Sequence, residues 1–272
     1  MHPSSSKPVA LITGAATGIG AATATALVQA GYDVVGTCRK DDSPAPPGVT
    51  MVLCDVTDDA SVQSAVDFVR TRAGRIDLLV NNAGVGLAGA AEETSIEQSR
   101  RVFEVNFFGM VRMTHAVLPI MREALSGRIL NISSVFGLMP APYMAIYAAT
   151  KHAVEGYTES LDHEIRPFGI RAIAIEPANT RTSFDTNLLY ADTPLRCYDG
   201  TRTQIEEMVA GMARSGDDPA VVAGTIVAAA TARSPALRYA AGRGRTLSLL
   251  RRFAPRRRFD TSLRKQLGIN SE

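Results

Sequence analysis

The sequence predicts a three-layer α/β/α protein built on a doubly wound, parallel, seven-stranded sheet. Three observations predict it. Short apolar runs alternate with longer helical segments along the chain, the pattern of strands joined by crossover helices. The first run leads straight into a glycine-rich turn and an alanine-rich helix. The 272 residues, 46% of them hydrophobic, are enough for one full core, and no obvious linker divides them.

The elements follow in order. "VALITG" is apolar throughout, as a strand covered on both faces must be. In "TGAATGIG", Gly14, Gly18 and Gly20 let the backbone turn tightly and approach a pyrophosphate, held against the free N–H groups of the helix expected over 18–30. "DVVGTC" is the second strand. The crossover "KDDSPAPPG" that follows carries three prolines, which forbid a regular helix interior, so a loop is expected there. "TMVLCDV", a helix over 60–72, "IDLLVNNAG", a long helix over 95–125 and "GRILNISS" come next. A helix over 147–168, "IRAIAIEP", a helix over 219–232 and "ALRYAAG" complete the alternation.

Bulk properties exclude several classes. The start, "MHPSSSKPVALITG", has no run resembling a secretory signal and no apolar stretch is long enough to span a bilayer, so a soluble cytoplasmic protein is expected. Cys38, Cys54 and Cys197 are odd in number and widely spaced, which suits neither a disulfide framework nor a zinc cluster. His115, His152 and His163 fall on expected helices without metal-ligand spacing, so no metal is expected. "NISSVFG" lacks the first glycine of a hydrolase nucleophile elbow, and no nucleic-acid docking motif is present.

The chemistry-bearing pattern is Tyr147 and Lys151, four apart on a helix and so on one face. An ammonium near a phenol favours the phenolate and lowers the phenol pKa from about 10 toward working pH. Such a tyrosine is a usable general acid or base. Ser134, at the end of "RILNISS", is placed to hydrogen-bond a substrate oxygen, with Ser133 as the alternative at that position.

The spacing Thr-Gly-x3-Gly-x-Gly, "NNAG" at 81–84 and Tyr147-x3-Lys151 together resemble the short-chain dehydrogenase/reductase family, over about residues 9–242. The run from Asp217 resembles the hydroxysteroid and retinol dehydrogenase branch more than the 3-oxoacyl-thioester reductases. The resemblance implies a Rossmann fold and a catalytic tetrad on Asn106, Ser134, Tyr147 and Lys151. It puts the phosphate-binding turn on Gly14, Thr17, Gly18, Ile19 and Gly20, the adenine side on Asp55 and Val56, and the ribose-side turn on Asn82, Ala83 and Gly84. Tyr147 would pass a proton to the developing alkoxide, Lys151 would also hold the nicotinamide ribose, and Asn106 would anchor a water leading to solvent. Pro177 and Thr182 of "PANTRT" would meet the nicotinamide carboxamide. Ala178 stands there in place of the family's usual glycine, and alanine tolerates positive φ poorly.

Cofactor preference is read after the second strand. NAD-binding members carry a carboxylate there, whereas this chain has Cys38, Arg39 and Lys40, and a guanidinium grips a phosphate bidentately. NADP(H) is therefore expected over NAD(H), although Thr17 stands where many NADP-preferring relatives have a basic residue. The apolar side chains of 135–146 and 183–198 suit a hydrophobic ketone or alcohol, steroid-, retinoid- or lipid-like. A 3-oxoacyl-thioester reductase and a non-catalytic NADP(H)-binding sensor are the two readings beside it. The resemblance implies pairing of the long helices over 95–125 and 147–168 with symmetry mates, which alanine-rich faces permit, so a homodimer is expected before a homotetramer.

Residues 1–243 are expected to form the dinucleotide-binding and catalytic domain, and 244–272 its basic extension. From Arg243 onward nine basic residues face Asp260 and Glu272, a net +7 that leaves −5 on the rest of the chain. Leu247, Leu250 and Phe253 share a helical face, Arg251 and Arg252 flank it, and Pro255 is expected to stop that helix. The tail either packs over the substrate end or also lies against an anionic membrane surface.

Overall fold

A computed structural model describes residues 7–182, 184, 187–247 and 255–266. Seven parallel strands form the main sheet: β1 (Val9–Ile12), β2 (Asp33–Cys38), β3 (Val49–Leu53), β4 (Leu78–Asn81), β6 (Gly127–Ile132), β7 (Ile170–Pro177) and β9 (Arg238–Ala241). Their order across the sheet is β3-β2-β1-β4-β6-β7-β9. The chain winds outward through β2 and β3, then crosses back to β4 and winds the other way. That reversal between β1 and β4 opens a crevice at the carboxyl ends of the strands.

Helices cover both faces. α1 (Gly18–Gln29) and α7 (Pro219–Thr231) pack on one, burying Leu27, Ile226 and Ala229 against Ile12, Val80 and Ile173. On the other lie α2 (Asp59–Ala73), α4 (Gly109–Glu123) and α5 (Ala145–Ile165), whose Val66, Met113 and Leu161 meet Leu11, Leu79 and Ile129. The strand interiors are thus buried twice, which is why they read as unbroken apolar runs. Sequence sets the helix ends: Asp58 caps α2 by accepting from the Ser61 N–H at 2.6 Å, and Asp218 caps α7 with Pro219 at its first turn.

The expected helix over 95–125 is not one regular helix. α3 (Ile96–Phe103) passes through a π-helical turn, Glu104–Phe108, into α4. The helix ends before Leu125, which turns left-handed at φ 49°. A buried polar ladder holds this element and α5 on the sheet: the Asn81 amide donates to Asn131 Oδ1 at 2.9 Å and Thr114 Oγ1 at 3.2 Å, and Asn131 donates to Thr158 Oγ1 at 2.9 Å.

Four elements were not expected. β5 (Leu87–Ala88) pairs in parallel with β8 (Leu189–Tyr190). α6 (Asp199–Ser215) buries Ile205 and Val209 beside Tyr147 and Met144. Both β8 and α6 belong to an excursion between β7 and α7 whose two feet are joined: the Asp217 carbonyl accepts from the Arg181 N–H at 2.9 Å, and the Asp217 N–H donates to Asn179 O at 2.8 Å. Pro255 starts a helix instead of only ending one, since α8 (Arg256–Gln266) follows it directly. Of the earlier tail helix, Leu247 is described, whereas Leu250, Arg251, Arg252 and Phe253 lie outside the described residues. Among the described residues no helix is long and apolar enough to cross a membrane.

Candidate active site

A cleft of about 1080 Å³ runs along the carboxyl ends of the strands. It collects Gly14, Thr17, Gly18 and Ile19 from the glycine turn, Arg39, Asp55 and Val56 from one end, and Asn82, Ala83 and Gly84 from the middle. Ser134, Tyr147, Lys151, Pro177 and Thr182 line the other end. Two residues singled out from sequence, Gly20 and Asn106, stand behind this surface and shape it.

The glycine turn shows why its residues are glycines. A Cβ on Gly20 would lie 2.1 Å from the Gly14 carbonyl oxygen, and one on Gly18, at φ 56°, would press Thr182 at 3.0 Å. Thr17 precedes α1 without capping it, and the first turn of α1 carries no acid. The unmatched N–H groups and positive dipole end of α1 therefore face the cleft, ready for a phosphate. Asn82 locks the neighbouring turn in place by donating to the carbonyls of Thr13 at 2.9 Å and Gly14 at 3.1 Å. Thr13 Oγ1 returns the lock, accepting the N–H groups of Asn82 and Ala83 at 2.9 Å each.

At the far end, Cys38 is buried where β2 stops, and Arg39, Lys40 and Ser43 line the rim beyond it. Asp55 is held below the usual carboxylate range mainly by the Thr57 N–H, which donates to it at 2.9 Å, with Arg39 contributing less. Its anionic form is thus kept at the cleft edge. The side chains present fit a nicotinamide dinucleotide: a glycine cradle that a Cβ would fill and a helix dipole for the pyrophosphate.

At the other end α5 brings Tyr147 and Lys151 to one face, both buried. Lys151 Nζ donates to the Ile132 carbonyl at 2.8 Å and stands 5.7 Å from the Tyr147 ring centre. Burial pulls the Lys151 ammonium down to about 8, partly countered by Glu155. Phe184 tilts against the Tyr147 ring at 5.8 Å. Ser134 Oγ accepts from the Phe136 N–H at 3.2 Å, a bond that does not use the hydroxyl's own proton. Ser133 differs: its Oγ turns toward Gly137 and Glu155, away from that role.

Asn106 sits in the π-helical turn and works as a clamp. Its Oδ1 accepts from the Val85 N–H at 2.8 Å, and its Nδ2 donates to Val85 O at 2.9 Å and Thr150 Oγ1 at 3.2 Å. Thr150 in turn donates to the Tyr147 carbonyl at 2.7 Å. Both amide protons of Asn106 are therefore spent on protein, joining the chain after β4 to the helix that carries Tyr147. Ala178 also differs from expectation: it is not among the described non-glycine residues with positive φ, which are Leu125 and Tyr143, so this turn needs no glycine for its φ.

Residues not foreseen as part of the site are Thr13, Thr150 and the apolar wall from α6. Ile205, Met208 and Val209 recur at helical spacing, a signal that sequence reading could have used. A second, apolar cavity of about 300 Å³ adjoins the cleft, sharing Phe136, Met144, Ala178 and Asn179 with it and reaching Met208, Leu247 and Leu263.

A crevice shaped for a dinucleotide that continues into a buried phenol–ammonium pair is the design of a nicotinamide-dependent oxidoreductase. The chain belongs to the short chain dehydrogenase family, whose family model matches residues 8–192. It is 44% identical over 179 residues to 3-ketodihydrosphingosine reductase of Bacteroides thetaiotaomicron, a match covering 66% of each chain. It is 38% identical over 192 residues to retinol dehydrogenase 8 of Homo sapiens, covering 66% of this chain and 61% of that one. In structure it is similar to a short-chain dehydrogenase from Streptomyces avermitilis, with a TM-score of 0.82, 33% identity and 98% of each chain covered.

Proposed function

We propose that the protein is an NADP(H)-dependent oxidoreductase that interconverts a hydrophobic ketone and its secondary alcohol, with Tyr147 as general acid and base. The observation that carries this reading is the buried Lys151 beside Tyr147 at one end of a cleft whose other end is a glycine cradle. Bound NADP(H) would supply or accept the hydride. Ser134 donates its hydroxyl proton to the substrate oxygen and orients it, Tyr147 transfers the proton to that oxygen, and the Lys151 ammonium favours the phenolate left behind. Lys151 also holds the nicotinamide ribose, and Asn106 fixes the α5 backbone at Tyr147.

The glycine turn, with Thr17 and Ile19, takes the pyrophosphate. Asp55 and Val56 take the adenine, Asn82 to Gly84 the ribose side, and Pro177 and Thr182 the carboxamide. Arg39, with Lys40 beside it, takes the 2′-phosphate, for which no carboxylate competes at Cys38. The adjoining apolar cavity, lined by three methionines, Met139, Met144 and Met208, supports an extended apolar substrate, because methionine adapts to irregular shapes. The names of the sphingoid-base reductase and retinol dehydrogenase relatives agree with such a substrate. Residues 1–243 act as the catalytic domain of a homodimer or homotetramer. The basic extension after them, with α8, adds a weak attraction to anionic membrane surfaces that fades with salt.

The test is NADPH consumption with a panel of steroid, retinoid, sphingoid-ketone and acyl-thioester carbonyls. Tyr147→Phe should lose at least about 100-fold in turnover while keeping NADPH binding. Arg39→Ala should weaken NADPH binding and spare NADH. Turnover indifferent to Tyr147→Phe overturns the chemistry, and equal losses for both cofactors overturn the phosphate role of Arg39.

A further inference from the structure

The proposed chemistry leaves one buried titratable cluster unused, and it lies directly behind Lys151. Glu155 follows Lys151 by one turn on α5 and is 5% exposed, and Glu176, near the end of β7, is 2% exposed. Arg238 of β9 reaches both: its Nε stands 3.1 Å from Glu155 Oε2 and 3.9 Å from Glu176 Oε1, and its side chain also meets Glu159 at 3.0 Å. The Gly137 backbone closes the other side, where a Cβ would come within 2.6 Å of Ser133 Oγ and 3.0 Å of Glu155 Cγ. Neither carboxyl oxygen of Glu155 makes a hydrogen bond of normal geometry within the described residues.

Two buried carboxyls and the half-exposed Glu159 gather around the Arg238 guanidinium, and the Lys151 ammonium stands one turn from Glu155 on α5. From α5 the groups facing Glu155 are Lys151 and Glu159, from the residue after β6 Ser133, from β7 Glu176 and from β9 Arg238. Burial pushes the Glu155 carboxyl up to about 7; Ser133 and Arg238 pull it down, Glu176 and Glu159 push it further up. The Glu155 charge in turn offsets part of the burial effect on Lys151.

We propose that Glu155 is a positioning residue for the reaction proposed above, its carboxylate favouring the cationic form of Lys151 while Arg238 favours the ionised form of Glu155. The inference rests on that reading for its meaning in catalysis, but the charge coupling itself does not need turnover. Lys151 then responds to a cluster that reaches the surface at Arg238 and Glu159.

The experiment follows Lys151 directly. The chain has four lysines, Lys7, Lys40, Lys151 and Lys265, so 13C-lysine NMR of the ligand-free protein resolves each titration, with Lys151→Met assigning the signal. In Glu155→Gln the Lys151 midpoint should move acidward by on the order of one pH unit. Glu155→Asp should restore part of it, and Arg238→Gln should shift it the same way by less, because Glu155 then stays protonated to higher pH. The alkaline limb of kcat/KM for ketone reduction should move with the NMR midpoint. A purely structural Glu155 would lower the melting temperature and leave the Lys151 midpoint within about 0.2 pH unit of wild type, which overturns the proposal. Arg238→Gln, changed at a half-exposed site, separates the same two outcomes if Glu155→Gln does not fold. Shifted NMR midpoints with an unshifted or absent turnover profile would leave the coupling standing and sink the Tyr147 chemistry instead.

Discussion

Replacing Asn106 with Asp tests whether the π-helical turn is a clamp, because the exchange alters one atom of a fully used amide. Asn106 is 2% exposed and gives both amide protons away, to Val85 O and Thr150 Oγ1, while Oδ1 accepts from Val85 N. In Asn106→Asp the acceptor survives, but a carboxylate oxygen would face Val85 O and a Thr150 hydroxyl whose proton is already given to Tyr147 O. Folding must therefore favour the protonated acid, which restores one of the two lost bonds. Each buried group left without a partner costs about 1–3 kcal/mol, so the variant should be less stable by about that much even in acid. Its folded-state pKa is raised above the unfolded value of about 3.9, so the proton is held more tightly in the folded state. Below about pH 4 both states are protonated and no further penalty arises. As pH rises, the unfolded chain ionises first, and the deficit grows by about 1.4 kcal/mol per pH unit until the folded carboxyl ionises too. Urea unfolding of variant and wild type at about pH 4.5, 6 and 7.5 reads this as a widening gap in midpoint. A gap that stays constant, or below about 0.5 kcal/mol throughout, would show that Asn106 does not clamp Val85 to α5.

Two further outcomes follow from the backbone and the thiols. Leu125 is 66% exposed at φ 49°, where a side chain strains the backbone, so Leu125→Gly should stabilise the fold by about 0.5–1 kcal/mol in urea, or about 1–3 °C in melting; a loss of stability would show that its side chain contributes more than the strain costs. Cys197 is exposed while Cys38 and Cys54 are buried, and burial pushes the Cys54 thiol up to about 11. Ellman's reagent near neutral pH should therefore titrate a single thiol rapidly in the native protein and all three after unfolding, and rapid reaction of a second native thiol would contradict the buried placement of the β2 and β3 ends.

The elements legible in sequence were those whose role forces a composition. Strands buried on both faces had to be apolar, and the glycine turn had to be glycine because a Cβ on Gly20 would collide with Gly14 O. Tyr147 and Lys151 were legible because a helix puts residues four apart on one face. The π-helical turn was not, since Glu104–Phe108 carries no composition that separates it from an ordinary helix; its cause is tertiary, the hold of Asn106 on Val85. β5 and β8 are two residues each, too short for any alternation to register. The cluster behind Lys151 needed the sheet order, which sets Glu176 and Arg238 on neighbouring strands although they are far apart in the chain.

The joined feet of the excursion between β7 and α7 bear on how such a protein changes its taste in molecules. Asn179, Arg181 and Asp217 close a stem, and β8 and α6 beyond it add no strand to the main sheet. The segment carries Phe184, Leu188 and Met208 to the walls of the two cavities. A foreign segment ending in the same stem could be transplanted without disturbing β7, α7 or β9, so diversification here resembles exchanging a tool head on a fixed handle. The main sheet and the phenol–ammonium pair lie outside the cassette that carries β8 and α6.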